Sequence, residues 1–355
     1  MVFQNVKLRN NNITRTSFLL FVEAENPFYS RITERPPKYS ASDHALIPAI
    51  YVFGDSTADV GNNDYLNSKA KAVWPYGVDN NNATGRFSNG KVSVDFLATY
   101  LGLPMAPAYL SLSEDQRSQI VTGINYASAS CGILNTTGMG ECLCLTKQVE
   151  YFTLTATQDL PKAINDEEEL SEHLGKSIFV FFIGNNDFNP QVNGNLTAKM
   201  TYEQLSDILL DEITTQMKKI YDLGARKFVV SSLSVCPPHY YNLSAGCGNR
   251  YYADKLPGRL EGLKDNGLTG FEFTVFDGYE ILGRVYQHPD EFGFTHVGVP
   301  CYNHESKTLC PDRSKYNQFD RFGHQTEASH EIAAWDCFKG TSCSPYNLLE
   351  LIEAD

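Results

Sequence analysis

AIYVFGDSTADVGNN, residues 49–63, decides how the chain is read. Ala49 to Phe53 is an unbroken apolar run that reads as a buried strand, and Gly54 ends it where the backbone can turn sharply. Two residues on, Ser56 presents its hydroxyl above the carboxyl edge of a sheet with its own N–H beside it, the placement a nucleophile needs. Taken alone, Asp55, Ser56 and Thr57 also read as the cap of a following helix. The G-x-S-x-G elbow of the α/β-hydrolases is absent, because Ala58 stands where its second glycine would be. Serine chemistry here therefore requires a different architecture.

Outward from this stretch the pattern alternates between short β-rich runs and longer helical ones, the mark of an α/β layered sheet. Ser177 to Ile183 (SIFVFFI) reads as a parallel strand buried on both faces. Leu205, Ile208, Leu209, Ile213, Met217 and Ile220 recur at helical spacing between Tyr202 and Leu223, with Gly224 as the stop. Lys227 to Leu233 and Phe271 to Phe276 read as strands, and Thr326 to Phe338 as a helix stopped at Gly340. These elements predict one doubly wound domain over residues 43–355, with its reactive loops at the carboxyl ends of the strands. Residues 1–42 are polar and aperiodic and read as a tail or an imperfect leader. The only apolar run there, Phe18 to Val22, stops at Glu23, short of the roughly 7 to 15 residues of a secretory core. No run approaches the roughly 18 apolar residues of a spanning helix.

With 355 residues, 42% hydrophobic and 20% charged, the chain has material for a large core, and its formal charge of −13 argues against nucleic-acid binding, which needs a concentrated basic surface. The nine cysteines, at 131, 142, 144, 236, 247, 301, 310, 337 and 343, match no zinc spacing and read as disulfides with at least one thiol left over. Acceptor sequences for N-glycosylation occur at Asn12, Asn82, Asn135, Asn195 and Asn242. Together these features predict an oxidising, secretory environment.

Two further motifs complete a chemistry. Gly184, Asn185, Asn186 and Asp187 follow SIFVFFI, so an amide at the sheet's carboxyl edge can donate to the oxyanion formed when a serine attacks an ester; alone, the same residues read as a turn. FDRFGHQTEA, Phe319 to Ala328, brings Asp320 and His324 together just before a helix, as an acid that orients a base. The other seven histidines read as structural or surface residues, and Glu327 and His330, three apart on a helix, as a local pair.

The ordered blocks GDSTADVGNN, TGRFSNGKVSVDFLATYLGLP (Thr84 to Pro104), GINYASASCGIL (Gly123 to Leu134), FIGNNDF (Phe182 to Phe188) and FDRFGHQTEA resemble the plant GDSL esterase/lipase family, within the SGNH hydrolases. The resemblance runs from about Ile47 into the C-terminal region. It implies a three-layer αβα, flavodoxin-like fold with a central parallel sheet, and hydrolysis of carboxylic esters with no metal and no cofactor. It further implies Ser56 as nucleophile, His324 as general base and Asp320 as orienting acid, with an oxyanion hole from the Ser56 N–H, the Ala129 N–H and the Asn186 amide.

Two departures qualify that pattern. Ala129 and Ser130 stand where the family usually has a glycine pair, so a positive φ at Ala129 would cost roughly 1 kcal/mol or displace the donor. Three residues, not two, separate Asp320 from His324, an excess that a bulge at Gly323 can absorb. These departures also leave room for a secreted, catalytically impaired protein that binds another enzyme. Trp74, Pro75, Tyr76, Phe87 and Leu101 to Tyr109 are candidates for an acyl or aromatic groove, or for plain core. The expected partner is a small-molecule or lipid ester: fatty-acyl, acetyl, polyester and phenolic esters all fit, and the oligomeric state is open.

Overall fold

The computed structural model describes residues 45–233 and 249–354. The tail over 1–42 with its Phe18 to Val22 run, Asn12, Asn242, Cys236 and Cys247 lie outside the described residues. Four strands, β1 (Ile50–Gly54), β2 (Ile178–Phe182), β3 (Lys227–Ser231) and β4 (Glu272–Phe276), pair in parallel in that order. A short β5 (Cys343–Ser344) adds antiparallel to the outer side of β4. Every residue of β1 and β2 is buried, which is why their sequences are continuous apolar runs rather than alternations.

The segment 122–128 runs along the other side of β1. Val52 N–H donates to the Ile124 carbonyl at 3.1 Å, Tyr126 N–H to the Val52 carbonyl at 2.8 Å, and Ser128 N–H to the Gly54 carbonyl at 3.0 Å. The chain thus leaves β1 to one side and returns to the other for β2. That reversal makes the carboxyl end of β1 the topological switch point, where sheets of this kind open a crevice for ligands.

Helices cover both faces. On one, Ile50, Val52, Ile178, Val180 and Val229 pack against α1 (Ser93–Tyr100), α7 (Glu327–Lys339) and α8 (Leu348–Glu353). On the other, Tyr51, Phe53, Phe179, Phe181 and Phe228 pack against α2 (Leu145–Leu154), α3 (Glu167–Lys176), α4 (Tyr202–Asp222) and α5 (Asn249–Asp265). Helix α6 (Gly278–Gln287) follows β4. The architecture is the expected three-layer αβα.

The helix read between Tyr202 and Leu223 is α4, started by a reciprocal cap in which Thr201 Oγ accepts from Gln204 N–H and Gln204 Oε1 from Thr201 N–H. Its buried stripe omits Ile208, which is 44% exposed because it falls outside the arc set by Leu205, Leu209 and Ile213. A third, smaller core of Tyr76, Phe87, Ala129, Cys301, Cys310 and Phe319 lies among the loops at the site. Disulfides join Cys131 to Cys142, Cys301 to Cys310 and Cys337 to Cys343, and Cys144 is the unpaired thiol among the described residues. Asn82, Asn135 and Asn195 are exposed.

Candidate active site

The turn after β1 is fixed from below. Gln148 of α2 accepts from Gly54 N–H at 2.8 Å and donates back to the Gly54 carbonyl at 2.9 Å. Asp55, buried, accepts from the Thr57 N–H and hydroxyl at 3.0 and 2.9 Å, and Ala58 and Asp59 N–H both return to its carbonyl. No α-helix follows directly, so these residues shape a turn instead of capping a helix, and Ser56 is left half-buried at its apex.

Three distant segments meet there. His324 Nε2 lies 2.9 Å from Ser56 Oγ, and His324 Nδ1 lies 2.6 Å from Asp320 Oδ2. The longer spacing between acid and base closes on itself: Phe322 and His324 N–H donate to Asp320 Oδ1 at 2.8 and 3.1 Å, and Phe319 N–H donates to the His324 carbonyl at 2.7 Å. Gly323, at φ 93, supplies the left-handed residue this bulge needs. The Tyr76 hydroxyl also donates to Asp320 Oδ2 and lies 3.4 Å from His324 Nδ1.

Burial alone would raise the pKa of Asp320, but the charge and hydrogen bonds of His324 and the Tyr76 hydroxyl outweigh it and hold the acid below its ordinary value. For His324, burial works to lower the pKa and is overcome by Asp320 and, more weakly, Asp55, so the ring is more basic than a free imidazole. Glu327 and His330 do not pair with each other. Glu327 accepts from Lys91 N–H at 3.0 Å, while His330 Nδ1 lies 2.9 Å from Ser93 Oγ across the α1–α7 contact, its pKa lowered by burial to about 3.

On the donor side, Asn186 Nδ2 gives one hydrogen bond to the Cys131 carbonyl at 3.0 Å, which leaves its second hydrogen available. The expected Ala129 donor is corrected: its N–H is already given to Asp59 Oδ2 at 2.9 Å, deep in the core. The positive φ falls one residue later, at Ser130 (φ 66). The N–H groups of Ser56 and Ser130 donate to no acceptor among the described residues.

Buried side chains bind these loops together. Asp59 also accepts from Gly61 and Asn62 N–H, and Asn62 donates to the carbonyls of Asn125 and Ala127. Asn63 donates to the Ala129 carbonyl and accepts from the Ser128 hydroxyl. Asp187 accepts from Ile133 N–H, Leu134 N–H and the Thr137 hydroxyl at 2.8, 3.2 and 2.8 Å. Burial raises the pKa of Asp59 to about 7 and that of Asp187 to about 6, against the pull of these donors.

Beside His324 a cavity of about 50 Å³ opens over the ends of β2, β3 and β4, walled by Thr57, Phe87, Phe182, Phe276, Ile281 and Leu282. Of the aromatic candidates for a groove, only Phe87 lines this cavity. Tyr76 is buried against the acid, Trp74 is exposed, and Leu101, Leu103 and Tyr109 are core.

A strand-end serine, an imidazole and a buried acid in one row, at the switch point of a parallel sheet, describe the class of serine ester hydrolases. Residues 50–336 match the family model described as GDSL-like Lipase/Acylhydrolase, and the chain belongs to that family. It is 35% identical to "GDSL esterase/lipase At5g55050" of Arabidopsis thaliana over 90% of this chain and 92% of that protein. It is 33% identical to "GDSL esterase/lipase 7" of the same plant over 86% and 91%, respectively.

Proposed function

We propose that the protein hydrolyses carboxylic esters through an acyl-enzyme on Ser56, in an oxidising secretory compartment. His324 takes the Ser56 proton, Ser56 Oγ attacks the ester carbonyl, and His324 returns the proton to the leaving alcohol; Asp320 keeps the ring oriented and steadies its charge. The oxyanion is met by the Ser56 N–H, the Ser130 N–H and the free hydrogen of the Asn186 amide, with Ser130 replacing Ala129 in that role. Water activated by the same imidazole then releases the acid. The observation that carries this reading is the row of contacts at 2.9 and 2.6 Å linking Ser56, His324 and Asp320.

The apolar side chains of Phe87, Phe182, Phe276, Ile281 and Leu282 make the cavity beside His324 a seat for the acyl group. The compartment rests on three disulfides among the described residues. The departures at Ala129 and between Asp320 and His324 do not pull the row apart, which favours an active enzyme over an impaired binding partner.

A p-nitrophenyl ester series tests the proposal. Ser56→Ala is expected to lose about 10⁵- to 10⁶-fold in kcat, and an organophosphate to add one adduct at Ser56. Undiminished turnover in Ser56→Ala, or an adduct on Ser128 or Ser130, would overturn the assignment.

A further inference from the structure

We propose that Tyr76 is a positioning residue for the triad assigned above: its hydroxyl holds the Asp320 carboxylate in the orientation that meets His324 Nδ1 and shares the acid's charge. Asp320 is fully buried, so its oxygens need partners on every side. Oδ1 is occupied by two amides of its own turn, those of Phe322 and His324. These donors move with the turn, whose Arg321, Phe322 and Gly323 are exposed.

Tyr76 is different in kind. It arrives from a segment 244 residues away in sequence, and its ring is seated in the third core, 5.1 Å from Phe87 and 5.5 Å from Phe319 between centroids. Among the described residues it is the one side-chain donor to the Asp320 carboxylate from outside the acid's own turn, and so it references that carboxylate to the body of the molecule. Burial and the neighbouring acid raise the phenol's pKa, which keeps the hydroxyl protonated as a donor throughout the working range.

The charge-sharing has a direction. A carboxylate oxygen that accepts a second strong hydrogen bond presents less charge to an imidazolium, so Tyr76 moderates the basicity that Asp320 confers on His324. The other ionisable groups facing the ring, the acid or Tyr76 are Asp55, His304, Arg321, His330 and Tyr302. None of them is altered by changing the Tyr76 hydroxyl.

Tyr76→Phe keeps the ring packing and removes only the donor. Expected are a kcat about tenfold lower with KM unchanged, and a midpoint of the acidic limb of kcat/KM moved to higher pH. Site-specific 3-fluorotyrosine at position 76, a stronger donor of nearly the same volume, is expected to move the limb the other way, and it remains decisive if Tyr76→Phe does not fold. A limb that stays in place in both variants overturns the role, even where kcat has dropped, since packing loss alone lowers rate without moving the limb. Ser56→Ala, run beside them, separates the two levels. If it is inactive while the Tyr76 variants behave like the parent, the positioning role fails alone; if it stays active, the triad and this role fail together.

Discussion

Ser56 and Asn186 stand on loops tied to one another by buried side chains, whereas Asp320 and His324 stand on a turn that closes largely on itself. In the first region Asp59, Asn62, Asn63 and Asp187 connect the β1 turn, the segment 123–134 and the β2 turn through hydrogen bonds with little exposure to water. In the second, the amides on Asp320 come from its own turn, which carries Phe322 with 64% of its surface exposed. The difference teaches a division of labour. In the proposed mechanism the oxyanion donors must be fixed before the reaction begins, while the proposed base must exchange a proton twice per cycle, and the His324 side chain is about 15% exposed.

That contrast can be broken most sharply at the base. His324→Ala is expected to reduce kcat on p-nitrophenyl acetate by about 10⁵-fold or more. In the parent, the folded-state pKa of His324 is raised, so the neutral base is lost as pH falls through a value above the ordinary 6.5. A pH–rate profile should therefore show its acidic midpoint on the alkaline side of about 6.5, and a midpoint near 5 would contradict the pairing with Asp320.

Asp187→Ala should damage stability and rate together, because three donors lose their buried acceptor at about 1–3 kcal/mol each. Scanning calorimetry is expected to show a midpoint about 5 °C or more below the parent, where His324→Ala shifts less. The smallest effects come from a pair of glycines. A Cβ at Gly132 would lie 2.4 Å from Asp187 Oδ1, so Gly132→Ala must displace the carboxylate and cost about 2 kcal/mol. At Gly323 a Cβ meets nothing within 4 Å and only the φ of 93° is penalised, so Gly323→Ala should cost about 1 kcal/mol. Equal losses in urea unfolding would erase the distinction between the two regions.

The sheet was legible because parallel strands buried on both faces leave uninterrupted apolar runs, as at Ala49 to Phe53 and Ser177 to Ile183, each stopped by a glycine. The strand-end positions of Ser56 and Asn186 were legible for the same reason, since each lies two residues past such a stop. What could not be read depends on contacts between distant segments. Nothing in ASASCG distinguishes the N–H of Ala129, taken by Asp59, from that of Ser130. Tyr76 looked like groove or core because its partner lies near the opposite end of the chain. Glu327 and His330 have the spacing of a helical pair, yet α1 and the residues just before it capture both, a tertiary contact overriding a local one.

The short β5 has a consequence beyond the site. It covers part of the outer side of β4 with two residues, Cys343 and Ser344, and Cys343 is bonded to Cys337 at the end of α7. A sheet flank left bare offers a row of unsatisfied amides and carbonyls to any passing extended chain, the starting point of intermolecular stacking. Here a covalently pinned stub occupies part of that row, so a molecule built around greasy parallel strands carries its own guard against polymerising.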